Sequence, residues 1–383
     1  MRRMRENIMQ RVMSFLAITI FLCGDVMTGR GIDQVLPHPS LPWIREPYLT
    51  DAREYVQLAE KTFGPIPKPL GFTAVWGDAL AELNQRSPDA RVINLETAVT
   101  KSGDYWKGKG INYRMNPANA PVLSAAGINV ATLANNHVLD WGYSGLAETI
   151  ETLTARHLGH AGAGKNRKEA EAPAIVDLGG KARLVVFSFA AKTSGVPDAW
   201  AATDTRPGVN LLRDLSGETV HRIRDQVRRV KKQGDIVLAS IHWGPNWGYD
   251  ISDEEARFSH GLIDEAGVDI IHGHSSHHVK AIEVYRGKLI LYGCGDFLND
   301  YEGIGGYEAF RGDLGLMYFA AVDPETGNLV SLDMTPTQIR HFRVNYASPG
   351  DAAWIAMVLN REGKGYGTGA TVVEGNRLQL NWK

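Results

Sequence analysis

Thr132-Leu133-Ala134-Asn135-Asn136-His137-Val138-Leu139-Asp140-Trp141-Gly142 is the stretch around which the chain is organised. The apolar run 128–133 leads into it and reads as a buried strand. At the end of that run stand two amides, an imidazole and a carboxylate. These are poor core residues and good ligands and proton donors. A buried strand that ends in them offers them at a sheet edge, where open α/β folds place their chemistry.

Other strand-like runs end the same way. The run 15–23 leads into Gly24-Asp25, and 91–95 into Glu96. The run 235–241 leads into His242-Trp243-Gly244. The run 268–271 leads into His272-Gly273-His274 and on to His277-His278, and 288–292 into Gly293-Cys294-Gly295-Asp296. One polar strand end means little. A series of them, offering Asp, Glu, Asn and His, suits a divalent transition metal such as Mn, Fe or Zn and argues against a thiolate site.

Helical patterns fill the intervals at 78–85, 117–126, 143–157, 216–233 and 253–266, several of them stopped by a glycine such as Gly159, Gly234 or Gly267. Strand alternating with helix predicts an α/β fold with a largely parallel sheet. Runs at 314–322 and 329–334 flank a turn and predict an antiparallel hairpin. The expected organisation is a basic leader over 1–12, one domain over 13–345, and a C-terminal helix (351–360) with a Gly-rich tail over 346–383. Residues 34–71 break the rhythm with many prolines around a helix at 50–61. Such an excursion beside a site either faces substrate or is a plain surface loop.

Bulk properties exclude little. The 383 residues are 44% hydrophobic and 22% charged with a formal net charge of −2, which gives no general drive towards nucleic acid or anionic membrane. The basic run 221–232 has its apolar residues at helical spacing and reads as a solvated face. Two cysteines cannot build a disulfide framework, and the matching Cys23-Gly24-Asp25 and Cys294-Gly295-Asp296 read as small buried residues at strand ends. The apolar run 12–23 is too short to span a bilayer as a helix and reads as the first core strand, so no membrane span and a cytoplasmic location are expected.

Within this frame Asp25, Glu96, His242 and His274 are the leading candidate ligands. His277 competes with its neighbour His278, and His272 is expected to point the other way. Asn136 is chosen over Asn135 because it abuts His137. Asp140 is expected to support rather than ligate, and Asp296 and Asn299 are candidates for the pocket lining. Arg30, Lys109 and Arg114 are candidates for binding an anionic substrate.

Taken in order, Gly24-Asp25-Val26-Met27 with Gly29-Arg30, Asn94-Leu95-Glu96, Ala134-Asn135-Asn136-His137 with Asp140 and Gly142, His242-Trp243-Gly244, and Gly273-His274-Ser275-Ser276-His277 form a pattern. It resembles the CapA-type poly-γ-glutamate capsule-synthesis family, a branch of the metallophosphoesterase-like (calcineurin-like) superfamily, over residues 13–320. The resemblance implies a four-layer α/β/β/α sandwich and a dinuclear metal centre at the strand ends. Its implied ligands are Asp25, Glu96, Asn136, His242, His274 and His277, with His137 acting near the leaving group. Met27 stands where phosphoesterases carry a ligand His, Glu96 replaces a bridging Asp, and the closing histidines are spaced one residue wider than usual. These departures allow a mononuclear centre or a weakly held second metal. The implied activity is a metal-dependent hydrolase for an anionic phosphoester or amide-linked polymer. The alternative is a non-catalytic protein that binds such a polymer on the same fold.

Overall fold

The computed structural model of the protein describes residues 17–383. The expected basic leader lies outside the described residues, as does the start of the 15–23 run. The first strand is Ile18–Val26, so Asp25 sits inside it rather than just beyond it.

That strand is central in a ten-stranded sheet. It pairs in parallel with Ala90–Leu95 on one side and antiparallel with Leu314–Val322 on the other. Ala90–Leu95 pairs in parallel with Val130–Thr132. A separate seven-stranded sheet carries Arg183–Ala191, Asp235–His242, Ile270–His274 and Lys288–Leu291 as parallel neighbours.

Alternation along the strands explains how the layers stack. Ile20 and Leu22 pack with Ile236 and Leu238 of the other sheet, and Phe21 and Cys23 pack with the helices outside. On the seven-stranded sheet Val237, Ala239 and Ile241 face the helices Gly217–Val230 and Asp253–Asp264. Each central strand is thus buried on both faces, which is why its sequence reads as a nearly continuous apolar run. Helix, sheet, sheet and helix make the expected four-layer α/β sandwich.

Two regions differ from expectation. Arg183–Ala191 is a full member of the second sheet, although its run ends in no ligand and sequence reasoning passes over it. The C-terminal segment is more ordered than a tail. Ser348 caps the helix Pro349–Gly363 by accepting from Asp351 N. Thr368–Val372 and Leu378–Trp382 then pair antiparallel and add to the edge of the ten-stranded sheet. Leu378 and Leu380 are buried while Gln379 and Asn381 are exposed, a period of two that identifies a strand.

The proline-rich excursion holds the helix Arg53–Phe63 and its own small cluster of Ile44, Ala52 and Tyr55. Among the described residues no helix is long and apolar enough to cross a membrane.

Candidate metal centre

The parallel strands of both sheets bring their C-terminal ends to one place. Asp25, Glu96, His242 and His274 meet there, all of them buried. Asp25 Oδ1 lies 3.5 Å from His274 Nδ1 and 4.0 Å from His242 Nδ1. Glu96 Oε1 lies 3.7 Å from His242 Nε2 and 3.9 Å from His137 Nε2.

Hydrogen bonds behind these groups fix which nitrogen faces inward. His272 Nε2 is 2.7 Å from the Cys23 carbonyl, which only accepts, so that nitrogen carries the proton. His272 Nδ1 is therefore bare and accepts from Ser240 Oγ at 3.1 Å. Ser240 has one proton, so it accepts from His274 Nε2 at 2.8 Å, and His274 Nδ1 is left bare. His242 Nε2 faces Asn136 Oδ1 at 3.1 Å, which leaves His242 Nδ1 bare as well. The two bare nitrogens are 2.8 Å apart. Burial holds both imidazoles well below their ordinary pKa, and so neutral. Two lone pairs and a carboxylate oxygen turned on one point repel each other. The same set matches the nitrogen and oxygen donors that Zn, Fe or Mn takes. The residues present fit a divalent cation.

Ligand atoms from Asp25, His242 and His274 lie within 4.8 Å of one another, and so do those from Asp25, Glu96 and Asp296. Asp25, not Glu96, is common to both groups. Burial and the charge of Asp296 push its carboxyl up to about 7, against opposing hydrogen bonds from Asn94 and Ser275. Burial, then the charges of Asp25 and Asp296, raises Glu96.

The remaining expected residues divide. Asn136 touches the centre through His242, while Asn135 spends its side chain on Asn94, Leu95 O and the backbone of His137 and Val138. His277 joins neither group; its Nδ1 sits 3.0 Å from both oxygens of Asp296. His272 does not point away. Residues two apart on a strand share a face, so it lies beside His274 on Ser240.

His137 stacks on Tyr113 with ring centroids 3.7 Å apart. Its Nδ1 is 2.6 Å from Asp140 Oδ2 and 2.9 Å from Lys109 Nζ, and Lys109 also pairs with Asp140. Lys109 forms part of the lining of an adjoining cleft of about 680 Å³, whose opposite wall is Trp43, Ile44, Arg45 and Glu46 of the proline-rich excursion.

Arg30 and Arg114 are placed differently from expectation. Arg30 is 3% exposed and spends its guanidinium on Glu46 and Asp300 between the rings of Tyr55 and Tyr113. Arg114 donates to Ser102 O and Leu41 O and lies over Trp141 at 3.8 Å. A sequence gives an arginine its charge but not its partners.

The sequence reading assigned no role to Asn94 or Ser240. Asn94 Nδ2 donates to Asp25 Oδ1 at 2.6 Å, and Ser240 donates to His272 and, by accepting from His274, sets that ring's tautomer. Each stands two residues before an expected ligand, Glu96 and His242. Strand alternation carries the signal that would have found them.

Comparison with known proteins gives the family. The sequence profile of the family described as "Bacterial capsule synthesis protein PGA_cap" matches residues 19–301. The chain belongs to the PGA_cap family. A "Probable polyglutamine synthesis accessory protein" of Mycobacterium tuberculosis is 46% identical over 364 residues, covering 95% of this chain and 96% of that protein. The PGA biosynthesis protein CapA of Bacillus subtilis is 30% identical over 216 residues, covering 56% of this chain and 54% of that protein. The capsule biosynthesis protein CapA of Bacillus anthracis is 28% identical over 193 residues, covering 50% and 45%. The PGA_cap match ends at residue 301, and both Asp296 and the bonds that tie Arg30 to Asp300 fall just inside it.

Proposed function

We propose that this PGA_cap protein is a metal-dependent hydrolase acting on an anionic phosphoester or on an amide-linked polymer, such as the polyglutamine or PGA in the names of its relatives. One observation carries the reading: two neutral imidazole lone pairs and the Asp25 carboxylate converge on a single buried point. Asp25, His242, His274 and Glu96 would hold a divalent Mn, Fe or Zn ion, with Asn136 and His277 supporting the set from behind. Such an ion supplies Lewis acidity towards a phosphoryl or carbonyl oxygen.

The protein's own residues do the rest. Asp140 accepts from His137 Nδ1–H and holds the ring, so Nε2 faces the reacting region beside Glu96. Burial, then the charge of Lys109, keeps the ring neutral, so Nε2 is bare; it takes a proton from the attacking water and then delivers it to the leaving group. Lys109 carries positive charge from the cleft to that ring and favours an anionic substrate. Loss of water from so buried a site strengthens each of these charge interactions.

The test is metal analysis of purified protein coupled to a screen of phosphomonoesters, phosphodiesters and γ-glutamyl amides with Mn, Fe and Zn. Asp25→Ala and His242→Ala should lose both metal and turnover. Metal-free protein with undiminished turnover would end the proposal.

A second reading has one observation in its favour. Met27 is buried where related phosphoesterases carry a ligand His, which removes a nitrogen donor from that edge. On this reading the fold binds an acidic polymer without cleaving it. Polymer binding with no turnover under any divalent cation would support it, and hydrolysis that depends on His137 would remove it.

A further inference from the structure

Resting on the reading of this protein as one that acts on an anionic substrate, we propose that the cleft beside His137 is a binding subsite for an extended acidic chain. That chain carries carboxylates along an amide backbone, and Trp43, Tyr105 and Arg45 are its contacts. The substrate class is then a polymer and not a small phosphoester.

The outer wall follows from alternation in the proline-rich excursion. Trp43 bridges antiparallel to Asp51, Ile44 N donates to Thr50 O at 3.1 Å, and Ala52 N donates to Pro42 O at 2.8 Å. An extended ribbon of this kind sends alternate side chains to opposite sides. Ile44 and Glu46 turn inward, the first to Ala52 and Tyr55 and the second to Arg30. Trp43 and Arg45 turn outward and line the cleft. Trp43 is 61% exposed, and Arg45 makes no ion pair with any described residue. A large ring left in water on a pinned ribbon forgoes burial it could have gained. Trp, Tyr and Arg are also the side chains that carry most of the binding energy at recognition surfaces.

The inner wall is tied to the residues that handle the proton. Tyr105 lies under Arg45, whose guanidinium carbon is 5.3 Å from the ring centroid. The next residue, Trp106, donates its N–H to Asp140 O at 2.8 Å and packs edge-on against Tyr143 and Trp200. Asp140 also holds Lys109 and His137. The acidic group in the lining, Glu46, is already paired with Arg30. The cleft thus offers two cations, Lys109 beside His137 and Arg45 on the facing wall, with two aromatic rings in the same lining.

That arrangement suits a chain. A guanidinium takes a carboxylate through two parallel bonds. Flat amides and methylenes lie against aromatic faces. The volume of about 680 Å³ falls among pockets that enclose a ligand of many atoms, about 300–1,000 Å³. A phosphoryl group alone would fill a small part of it.

The experiment uses the full chain as purified. Fluorophore-labelled γ-linked glutamate oligomers, from a single residue to a decamer, are titrated and read by fluorescence anisotropy at the first time point, before any cleavage. Wild type should bind the decamer at least about 10-fold more tightly than the single residue, and Trp43→Ala and Arg45→Ala should each weaken the decamer by about 10-fold. Arg45→Glu should weaken it further. Both side chains face solvent, so the melting temperatures of the variants should match wild type. Equal affinity of wild type for the single residue and the decamer would overturn the proposal. So would wild-type decamer affinity in Trp43→Ala and Arg45→Ala. A nucleoside diphosphate that binds more tightly than the decamer, and is lost in the same variants, would overturn it by giving the cleft to a stacked base. The readout is binding, so decamer binding without turnover counts against the hydrolase and not against the cleft.

Discussion

Two buried charged clusters lie close together in this protein and are built on opposite terms. Around Arg30, the carboxylates of Glu46 and Asp300 meet a guanidinium, and Tyr55 Oη donates to Glu46. Around Asp25, the carboxylates of Glu96 and Asp296 meet neutral histidines and one another. The first cluster is closed by the protein and ties the proline-rich excursion to the body of the fold. The second has no such cation: the Glu96 carboxylate lies 3.7 Å from the His242 ring and 3.9 Å from the His137 ring, both held neutral by burial. The difference separates structure from function. Burial of charge is costly in both places, and only around Arg30 does a protein cation sit between the carboxylates.

The strongest way to break this comparison is at the Asp25 cluster. His242→Ala removes one of the two bare nitrogens, and turnover in the substrate screen should fall to background together with the metal content. His137→Gln should leave the metal content intact and lower kcat by about 10²–10⁴-fold, the usual worth of a positioned proton donor. A loss of metal in that variant would move His137 from proton transfer to ligation.

At the closed cluster the readout is stability. Arg30→Ala leaves Glu46 and Asp300 buried without their partner and should cost about 3–5 kcal/mol in denaturant unfolding. Arg30→Lys should rescue little, because an ammonium cannot reproduce the bonds the guanidinium makes to both carboxylates. A near-neutral Arg30→Ala would mean that the excursion is held by its own apolar cluster instead.

The smallest expected effect has the sign that best sharpens the contrast. Burial, then the charges of Asp25 and Asp296, raises the Glu96 carboxyl pKa, so in chelator-stripped protein Glu96→Gln should leave stability within about 1 kcal/mol at pH values below the ordinary carboxylate range and raise it relative to wild type as pH climbs from there towards the raised pKa. With divalent cation present the same change should lower the melting temperature relative to wild type. If Glu96→Gln destabilises the stripped protein across that range, the Glu96 pKa is not raised.

Much of this was readable in the residues themselves. The run before Asn135-Asn136-His137 and the runs before Glu96, His242 and His274 are apolar because their strands are covered on both faces. Their polar ends stand out for the same reason. Asp296 shared the Cys-Gly-Asp context of Asp25, and that repeat was the available sign of its position. Arg30 could not be read in the same way. Its charge suggested a ligand for an anion, but its partners come from positions 46 and 300. Nor could the linear order of residues say that Ser240 relays the tautomer of His272 to His274.

The sequence by itself determined which strands are buried and which chemical groups stand at their ends, because local pattern follows from whether a strand meets water. The tertiary structure alone decided which of those groups meet, which nitrogen of each histidine is bare, and which charges are already spent. Those outcomes depend on distances between residues far apart in the chain, and an ion pair or a tautomer is fixed by the partner that folding brings within about 3 Å.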